Sequence, residues 1–281
     1  MIEFDQVTKR YGGVNAIDQV SLSLPDHGIH CLLGRNGAGK TTWMKLLAGH
    51  IGATSGVITV DGRPVSPGRM PESVNYIESG VTQFNLRVSE LMAAAADLQP
   101  GFDRGFAQEM ADRLELDRRK RFKQLSFGMR TMLTTIIALA NSSRAILLDE
   151  PTLGFDAVMR QQFNDLLLQS HQAHPRLIVV STHLIDEIAK VTEHLIVIDR
   201  GRVLLQAGID QVDELAYSLS GPTAAVQPLL AGLNVIGRTS AGALTTAQIY
   251  DHRITPPPGV LLERLSLQDF FINLVGGGTH V

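Results

Sequence analysis

The sequence predicts an α/β fold in which a mostly parallel sheet is covered by helices on both faces. Three observations predict it: short runs of near-continuous apolar character, longer segments with helical periodicity between them, and a glycine-rich loop that joins a strand to a helix. The predicted strands cover residues 2–4, 20–24, 30–33, 57–60, 74–77, 145–148, 177–181, 195–198 and 203–205. The predicted helices cover residues 41–47, 88–97, 102–114, 128–140, 157–169 and 184–190.

Two regions depart from this alternation of strands and helices. Between residues 88 and 140 the pattern is helical without an intervening strand, which indicates an all-helical subdomain at about 80–140. After residue 208, Gly, Pro, Ala and Ser become frequent, Pro256-Pro257-Pro258-Gly259 is typical of a stiff linker, and a last helix is predicted over 261–274. We therefore expect one domain over residues 1–208 and a small C-terminal extension over residues 209–281.

The composition is that of an ordinary folded protein and excludes several classes of function. The chain of 281 residues is 44% hydrophobic and 19% charged, and its net charge of -3 argues against a nucleic-acid partner. Its one cysteine, Cys31, cannot form an internal disulfide and fits a reducing compartment. No window approaches the roughly 18 apolar residues of a membrane helix. We therefore expect a soluble, cytoplasmic chain that meets a membrane only through a partner.

The strongest functional signal is the glycine-rich loop between the strand at 30–33 and the helix at 41–47. It fits G-x-x-x-x-G-K-[ST], in which glycines let backbone N–H groups converge on an anion. Lys40 supplies a charge for the β- and γ-phosphates of a nucleotide, and the Thr41 hydroxyl can ligate Mg²⁺. The residues of this predicted phosphate loop are Gly34, Arg35, Asn36, Gly37, Ala38, Gly39, Lys40, Thr41 and Thr42.

A second apolar strand, at 145–148, ends in two carboxylates, Asp149 and Glu150. An apolar strand that ends in Asp, downstream of such a loop, places a carboxylate near the Mg²⁺. The adjacent Glu150 can then accept a proton from a water that attacks the γ-phosphate. The phosphate loop alone is compatible with kinases, GTPases and ATPases. The two carboxylates reduce the number of enzyme classes that fit the sequence.

Together with three further segments, these motifs resemble the nucleotide-binding subunit of ABC transporters over residues 1 to about 208. The loop at 34–42 is similar to the family's Walker A motif and AILLDE at 145–150 to Walker B. LSFGM at 125–129 is similar to the signature motif, LGFD at 153–156 to the D-loop, and VSTH at 180–183 to the switch-histidine loop. The resemblance implies a P-loop NTPase with a RecA-like parallel core, an antiparallel β subdomain and an α-helical subdomain.

The resemblance also implies a role for each matched residue, with ATP and Mg²⁺ as the bound groups. Glu150 would be the catalytic base, His183 would contact the γ-phosphate beside Lys40, and Asp149 would join Thr41 at the metal. Tyr11 matches the aromatic residue that stacks on adenine. The signature and D-loop residues of the ATP site are Ser126, Gly128, Met129 and Asp156, of which the first three would face the ATP of a second copy.

One motif of the family does not fit cleanly. The family carries a glutamine after a strand that ends in Tyr-x-Pro-Gln, and that glutamine meets Mg²⁺ and water. Here the segment reads Tyr76-Ile77-Glu78-Ser79-Gly80, so the glutamine position falls on Ser79 or on Glu78, depending on the end from which it is counted. Gln83 is the remaining alternative. We expect Glu78 to be the substitute oxygen ligand of the metal.

The resemblance implies that two copies, or one copy and a paralogous ATPase subunit, face each other head to tail around two ATP. The dimer would drive an integral-membrane permease from the inner face of the cell membrane. The xSxGM form of the signature and the segment 265–271 resemble ATPases of exporters with separately encoded permeases, so export is expected and import is the alternative. Regulation and dimerisation are both compatible with the sequence of the extension at 209–281.

Three alternatives to a transporter subunit share some of these features. The first is a soluble ABC-type ATPase, but translation-type members carry two cassettes and repair-type members insert long coiled coils, neither of which occurs here. The second is a kinase or GTPase, which would not explain the three further motifs in order and would need a guanine motif of the form Asn-Lys-x-Asp. The third is a binding module without turnover, which Lys40, Asp149, Glu150 and His183 argue against.

A run of basic residues at 118–123 directly precedes the signature motif. Such a run is usually a solvated surface, and in this position it could raise the positive potential where the ATP of a neighbouring molecule docks. A nucleic-acid site is disfavoured because the run is short and contains one aromatic ring, Phe122.

Overall fold

The computed structural model describes residues 1–80, 84–183 and 185–276, whose strands form three sheets. Six strands form the central sheet, in the order β10-β9-β3-β8-β7-β6, and all neighbours are parallel except β10 and β9. The carboxyl ends of β3, β8, β7 and β6 therefore lie side by side along one edge. The strands are β3 (Gly28–Leu33), β6 (Val74–Glu78), β7 (Ala145–Asp149), β8 (Leu177–Thr182), β9 (His194–Asp199) and β10 (Arg202–Gly208).

A smaller antiparallel sheet is built mainly from the first 60 residues of the chain. Its order is β2-β1-β4-β5. Its strands are β1 (Ile2–Tyr11), β2 (Val14–Leu24), β4 (Ser55–Val60) and β5 (Arg63–Pro64). Trp43 joins this sheet to the central one, because its ring is fully buried and stacks on that of Phe4 at 4.8 Å between centroids.

Side chains of the central sheet alternate between two hydrophobic cores, as the two-residue period of a strand requires. In β3, Cys31 and Leu33 pack into the core that contains the helices after residue 88, whereas Leu32 packs into the core that contains Trp43. Residues on both faces of β3, β7 and β8 are buried, which explains the near-continuous apolar runs in the sequence. The predicted α/β class is confirmed.

Nine α-helices occur in the described residues, and between Val88 and Leu139 these residues contain no strand. No helix in the same part of the chain is long and apolar enough to cross a membrane. The predicted helix at 184–190 includes residue 184, which lies outside the described residues. The helices are α1 (Lys40–Leu47), α2 (Val88–Leu98), α3 (Arg104–Arg113), α4 (Phe127–Leu139), α5 (Ala157–Ala173), α6 (Ile185–Ile188), α7 (Ile209–Leu215), α8 (Thr223–Val226) and α9 (Leu267–Gly276).

The residues after Gly208 form a third, antiparallel sheet in the order β12-β13-β11-β14. The prediction of one helix over 261–274 is wrong in its first part, because Leu262 pairs with Leu219 of the neighbouring strand. The helix begins only after Ser266, whose hydroxyl accepts a hydrogen bond from the N–H of Asp269 at 3.0 Å. The strands are β11 (Ala216–Pro222), β12 (Val235–Ala241), β13 (Leu244–Tyr250) and β14 (Leu261–Arg264).

Helix α9 packs between this third sheet and the rest of the protein. Phe270 is fully buried, and its ring lies 5.1 Å from that of Tyr250 between centroids. On its other side α9 contacts α6, so Phe270 belongs to the same hydrophobic core as Ile185 and Ile188. The residues after 208 therefore share a core with the residues that follow His183.

His30 is a titratable side chain in the interior of the central sheet. It is 1% exposed, and its ring stacks on that of His194 in β9 at 4.6 Å between centroids. Burial lowers the pKa of His30 to about 4, with the charge of His194 as the second cause, because the protonated imidazole loses its water and gains no opposite charge.

We expect the free energy of unfolding to fall as the pH is lowered from about 6.5 to about 4, because the unfolded chain binds a proton at His30 in this window and the folded chain does not. A pKa lowered from 6.5 to about 4 corresponds to about 3 kcal/mol. Urea unfolding at a series of pH values measures this loss. His30→Gln should remove most of it, whereas His50→Gln, at an exposed position, should not; equal pH dependence in both variants would contradict the assignment.

Candidate functional site

The predicted phosphate loop runs from the end of β3 to the start of α1, and close packing of its backbone requires glycine at two positions. A Cβ at Gly34 would lie 2.6 Å from the carbonyl oxygen of Ile198, and one at Gly39 would lie 2.5 Å from that of Ala16. Gly39 also has a φ of +112°. The turn therefore presents backbone N–H groups at the N-terminus of α1, an arrangement that binds anions. The other predicted loop residues, Arg35, Asn36, Gly37, Ala38 and Thr42, occupy this turn and the first turn of α1.

The three predicted catalytic side chains form one chain of contacts at the carboxyl edge of the central sheet. Lys40 is 7% exposed, and its Nζ donates a hydrogen bond to the carbonyl oxygen of Gly34 at 2.8 Å. The same Nζ lies 3.4 Å from Glu150 Oε1, while His183 Nδ1 lies 2.9 Å from Glu150 Oε2. The structure thus places a carboxylate between a cation and an imidazole, directly beside the anion-binding turn.

Asp149 is buried at the end of β7, where three hydroxyl groups converge on its carboxylate. Thr41 Oγ1 donates to Asp149 Oδ2 at 2.7 Å, Tyr76 Oη donates to the same oxygen at 3.2 Å, and Ser181 Oγ donates to Oδ1. Burial, with the Asp149 charge as the second cause, strongly raises the pKa of Tyr76, so its hydroxyl stays protonated as a donor.

The oxygen atoms of Thr41 and Asp149 fit Mg²⁺, which prefers hard oxygen ligands at short distance. Among residues 1–80, 84–183 and 185–276, no group of three or more His, Cys, Asp or Glu side chains could hold a metal ion. A magnesium ion held by Thr41 and Asp149 would take its remaining ligands from phosphate oxygens and water.

Ser181 contacts both acidic residues of the site, the carboxylate of Asp149 and the backbone of Glu150, a role that the sequence did not reveal. Its hydroxyl donates to Asp149 and accepts a hydrogen bond from the N–H of Glu150 at 2.9 Å. Glu150 has a φ of +48°, an uncommon value for a residue with a side chain, so this contact helps to hold a strained backbone. Ser181 precedes the switch histidine by two residues, but nothing local in the sequence indicates the contact.

The segment after β6 is tied to the end of β7. Ser79 Oγ donates to the carbonyl oxygens of Asp149 and Glu150 at 2.9 and 2.6 Å. The Glu78 carboxylate forms an ion pair with Lys45 at 2.9 Å, and 46% of the Glu78 side chain is exposed. Of the three residues considered for the missing glutamine, Ser79 therefore contacts the site backbone, Glu78 contacts Lys45, and Gln83 lies outside the described residues.

Tyr11 lies at the tip of the β1–β2 hairpin, whose second strand reaches the phosphate loop at Ala16. Its ring is 51% exposed, and Lys9 Nζ lies 5.0 Å from the ring centroid while donating to the carbonyl oxygen of Gly52 at 2.7 Å. The ring is thus held by a cation–π contact and is open to solvent beside the loop. An exposed, positioned aromatic ring is suited to stacking on a nucleotide base.

The predicted signature and D-loop residues form a second group, whose members contact one another. Ser126 caps α4, and its Oγ accepts a hydrogen bond from the N–H of Met129 at 3.2 Å. The Phe127 ring lies against Gly154, where a Cβ would be 2.8 Å from it. Gly128 packs on Met159, whose N–H donates to the N-cap residue Asp156 at 2.8 Å.

These two helix starts, of α4 and α5, are therefore joined to each other. Among the described residues, no hydrogen bond or ion pair connects Ser126, Gly128, Met129 or Asp156 to Lys40, Glu150 or His183. The structure thus brings together the Walker A, Walker B and histidine residues and leaves the signature group separate.

Comparison with known proteins gives consistent results. Residues 17–153 match the family described as ABC transporter. The lantibiotic transport ATP-binding protein SrtF of Streptococcus pyogenes is 28% identical over 217 residues, which are 76% of this chain and 94% of the relative. The bacitracin transport ATP-binding protein BcrA of Enterococcus faecalis is 25% identical over an alignment of 306 positions, which covers 99% of this chain and 97% of the relative. A solved ATP-binding subunit of an ABC transporter has the same fold, with a TM-score of 0.66 and 22% identity over 75% of this chain and 91% of that one.

Proposed function

The chain belongs to the ATP-binding proteins of the ABC transporter family, and from this premise we propose that it hydrolyses ATP and thereby drives a membrane permease. The observation that supports hydrolysis is the contact chain formed by Lys40, Glu150 and His183 at the carboxyl edge of the central sheet. A module that only binds nucleotide has no need of a carboxylate held in this position.

In the proposed reaction, the phosphate loop and Lys40 hold the β- and γ-phosphates of ATP. Glu150 accepts a proton from a water molecule whose oxygen attacks the γ-phosphorus, the bond to the β-phosphate oxygen breaks, and ADP and phosphate leave. His183, whose Nδ1 lies 2.9 Å from Glu150 Oε2, would donate a hydrogen bond from its ring to the γ-phosphate. Thr41 and Asp149 would hold a Mg²⁺ ion, which would supply charge neutralisation at the phosphates.

We propose Glu78 as an additional oxygen ligand of the metal. Its carboxylate would have to leave Lys45, with which it forms the ion pair at 2.9 Å. Because the two side chains of that pair are partly exposed, at 29% for Lys45 and 46% for Glu78, the energetic cost of breaking it is small. If Glu78→Ala leaves the Mg²⁺ dependence of ATPase activity unchanged, Glu78 is not a ligand.

We also propose that the working unit is a head-to-tail dimer. The N-terminus of α4, with Ser126, Gly128 and Met129, is an anion-binding element, and within the described part of the chain no hydrogen bond or ion pair joins it to Lys40 or Glu150. Beside it, Leu153 and Val158 are exposed apolar side chains, 47% and 67% accessible. An anion-binding helix start flanked by exposed apolar residues fits the ATP site and the surface of a second copy.

The proposed partner is an integral-membrane permease, which places the chain on the inner face of the cell membrane. Export is favoured because SrtF and BcrA are named as ATP-binding proteins of lantibiotic and bacitracin transport, and BcrA aligns with nearly the whole chain. The transported compound is chosen by the permease and is not encoded in this subunit.

Co-purification tests the proposed partner. The full-length chain, tagged and expressed in its own cells, is isolated from detergent-solubilised membranes, and the proteins that accompany it are identified. We expect one multispanning membrane protein in stoichiometric amount, whose removal lowers ATPase activity. Recovery of ribosomes or DNA in place of a membrane protein would support the soluble ATPase instead.

A further inference from the structure

His183 is followed, after one intervening residue, by α6, a helix of only four residues. A single helical turn is not stable by itself, because nucleating a helix costs more free energy than one turn recovers. Packing against neighbouring elements must therefore fix where α6 lies. Both Ile185 and Ile188 are buried, so α6 is held by its contacts with the core. The position of α6 in turn limits the position of the His183 ring.

On one side, α5 holds α6 through polar contacts. Arg160 Nη1 lies 2.6 Å from Glu187 Oε1, and Asn164 Nδ2 donates a hydrogen bond to the carbonyl oxygen of Glu187 at 3.0 Å. The ion pair is partly exposed and therefore contributes little free energy. Both contacts are made to one residue, four positions after His183, so they hold the later part of α6 and leave its start to other contacts.

On the other side, α6 contacts α9, and it contacts no other element of the described residues more extensively. Within residues 267–276, Phe270 is the one buried side chain, and it shares a hydrophobic core with Ile185 and Ile188. The ring of Phe270 is itself held in place. Its backbone N–H donates to the carbonyl oxygen of Ser266 at 2.8 Å, and the ring of Tyr250 in the third sheet lies beside it. Phe270 therefore joins the start of α6 to a fixed part of the C-terminal extension.

The C-terminal extension also has a hydrophobic core of its own, on the opposite face of the third sheet. In β11, Ala216 packs into the core that contains α6, whereas Tyr217 and Leu219 pack into this separate core. The separate core contains no residue of α6. A change at Leu219 therefore perturbs the extension without removing a contact of α6, whereas a change at Phe270 removes one directly.

We propose that Phe270 is a positioning residue for ATP hydrolysis, which acts through α6 to hold His183 beside Glu150. The C-terminal extension thereby sets the rate of turnover at the nucleotide site. This inference rests on the proposed function, in which His183 contacts the γ-phosphate. ATP binding should depend on Phe270 much less, because the phosphate loop packs on Ala16 and Ile198, which lie in neither α6 nor α9. Loss of the Phe270 ring should therefore lower kcat and leave ATP affinity nearly unchanged.

Steady-state ATPase kinetics of the full-length chain test the proposal, together with titration of a fluorescent ATP analogue. Phe270→Ala should lower kcat at least about tenfold, because it frees α6 to shift and small displacements of positioned groups have effects of this size. The Kd of the ATP analogue should change less than about twofold. Phe270→Leu, which refills most of the space, should restore most of the lost kcat and keeps the test valid if the alanine variant does not fold.

Leu219→Ala is the matched control, since it removes a fully buried side chain from the separate core of the extension. We expect its kcat to stay within about twofold of the wild type at a temperature well below the unfolding midpoints of both variants. Circular dichroism should show that both variants are folded. An unchanged kcat in Phe270→Ala, or an equal loss of kcat in Phe270→Ala and Leu219→Ala, would overturn the proposal.

Labelling of histidine by diethyl pyrocarbonate gives a second readout, which does not depend on turnover. Mass spectrometry measures the labelling rate of His183 relative to that of His50, an exposed histidine outside the extension. In Phe270→Ala this ratio should rise several-fold, because the His183 ring leaves Glu150 more often, and in Leu219→Ala it should not. An unchanged ratio would contradict the role of Phe270, whether or not the protein hydrolyses ATP. A wild type that hydrolyses no ATP would contradict the proposed function instead, so the two failures are distinguishable.

Discussion

Replacing Glu150 by Gln is expected to slow ATP hydrolysis by about a thousandfold while ATP binding is retained, since a general base contributes between a hundredfold and ten-thousandfold. Gln has the same shape but cannot accept the proton of the attacking water. Its amide still fills the space between Lys40 and His183, so the phosphate loop should keep its geometry. Steady-state release of phosphate and titration with a fluorescent ATP analogue measure the two effects separately.

The same variant also tests the proposed dimer. Because hydrolysis is slow, two copies should remain closed around ATP and run as a dimer in light scattering, and they should separate when ATP is removed. Glu72→Gln, an isosteric change at an exposed acid whose side chain forms no hydrogen bond or ion pair within the described residues, serves as the control and should behave like the wild type. A Glu150→Gln protein that stays monomeric at saturating ATP, with and without its permease, would count strongly against the proposed dimer.

Replacing Gly39 by Ala is expected to weaken ATP binding at least about a hundredfold, because small displacements of positioning groups have effects of this size. The added Cβ would lie 2.5 Å from the carbonyl oxygen of Ala16 and 3.0 Å from the Cδ1 of Ile17. Since the nearest atom belongs to the backbone, the phosphate loop itself must move. Together with the φ of +112°, the overlap should lower the free energy of unfolding by about 3 kcal/mol.

Gly62→Ala is the matched control for this experiment. Gly62 has a φ of +74°, but a Cβ there would meet no atom within 4 Å. We expect that variant to lose about 1 kcal/mol of stability from the backbone conformation alone and to bind ATP normally. If Gly39→Ala binds the ATP analogue as tightly as Gly62→Ala, the glycine-rich turn is not the phosphate site.

The central sheet and its carboxyl edge were predictable because their signals are local or periodic. The apolar runs at β3, β7 and β8 follow from burial on both faces of a parallel sheet, and the phosphate loop follows from one motif. Lys40, Asp149, Glu150 and His183 lie close together because each lies at or just beyond the carboxyl end of one of these neighbouring parallel strands. Their chemical roles stay predictions until the variants above are measured.

The contacts that support the site were not predictable, because they join residues that are distant in the chain. Ser181 reaches Asp149 across 32 positions and Tyr76 reaches it across 73, and a polar residue in a strand has no local sign of its partner. The third sheet was missed for a related reason. Its strands mix small and polar residues, and Leu261 and Leu262 continue a helical pattern until pairing with β11 overrides it.

The shared core of α6 and α9 affects how the chain folds during its synthesis. Ile185 and Ile188 pack with Phe270, which is made 82 residues after Ile188. At about 5–20 residues per second, several seconds pass before that ring is available. Until then the nascent nucleotide-binding domain carries an open apolar surface beside the histidine loop. Packing of the region beside the histidine loop therefore waits until Phe270 has been made, and a product that ends before this residue would leave the region incompletely folded and prone to aggregation.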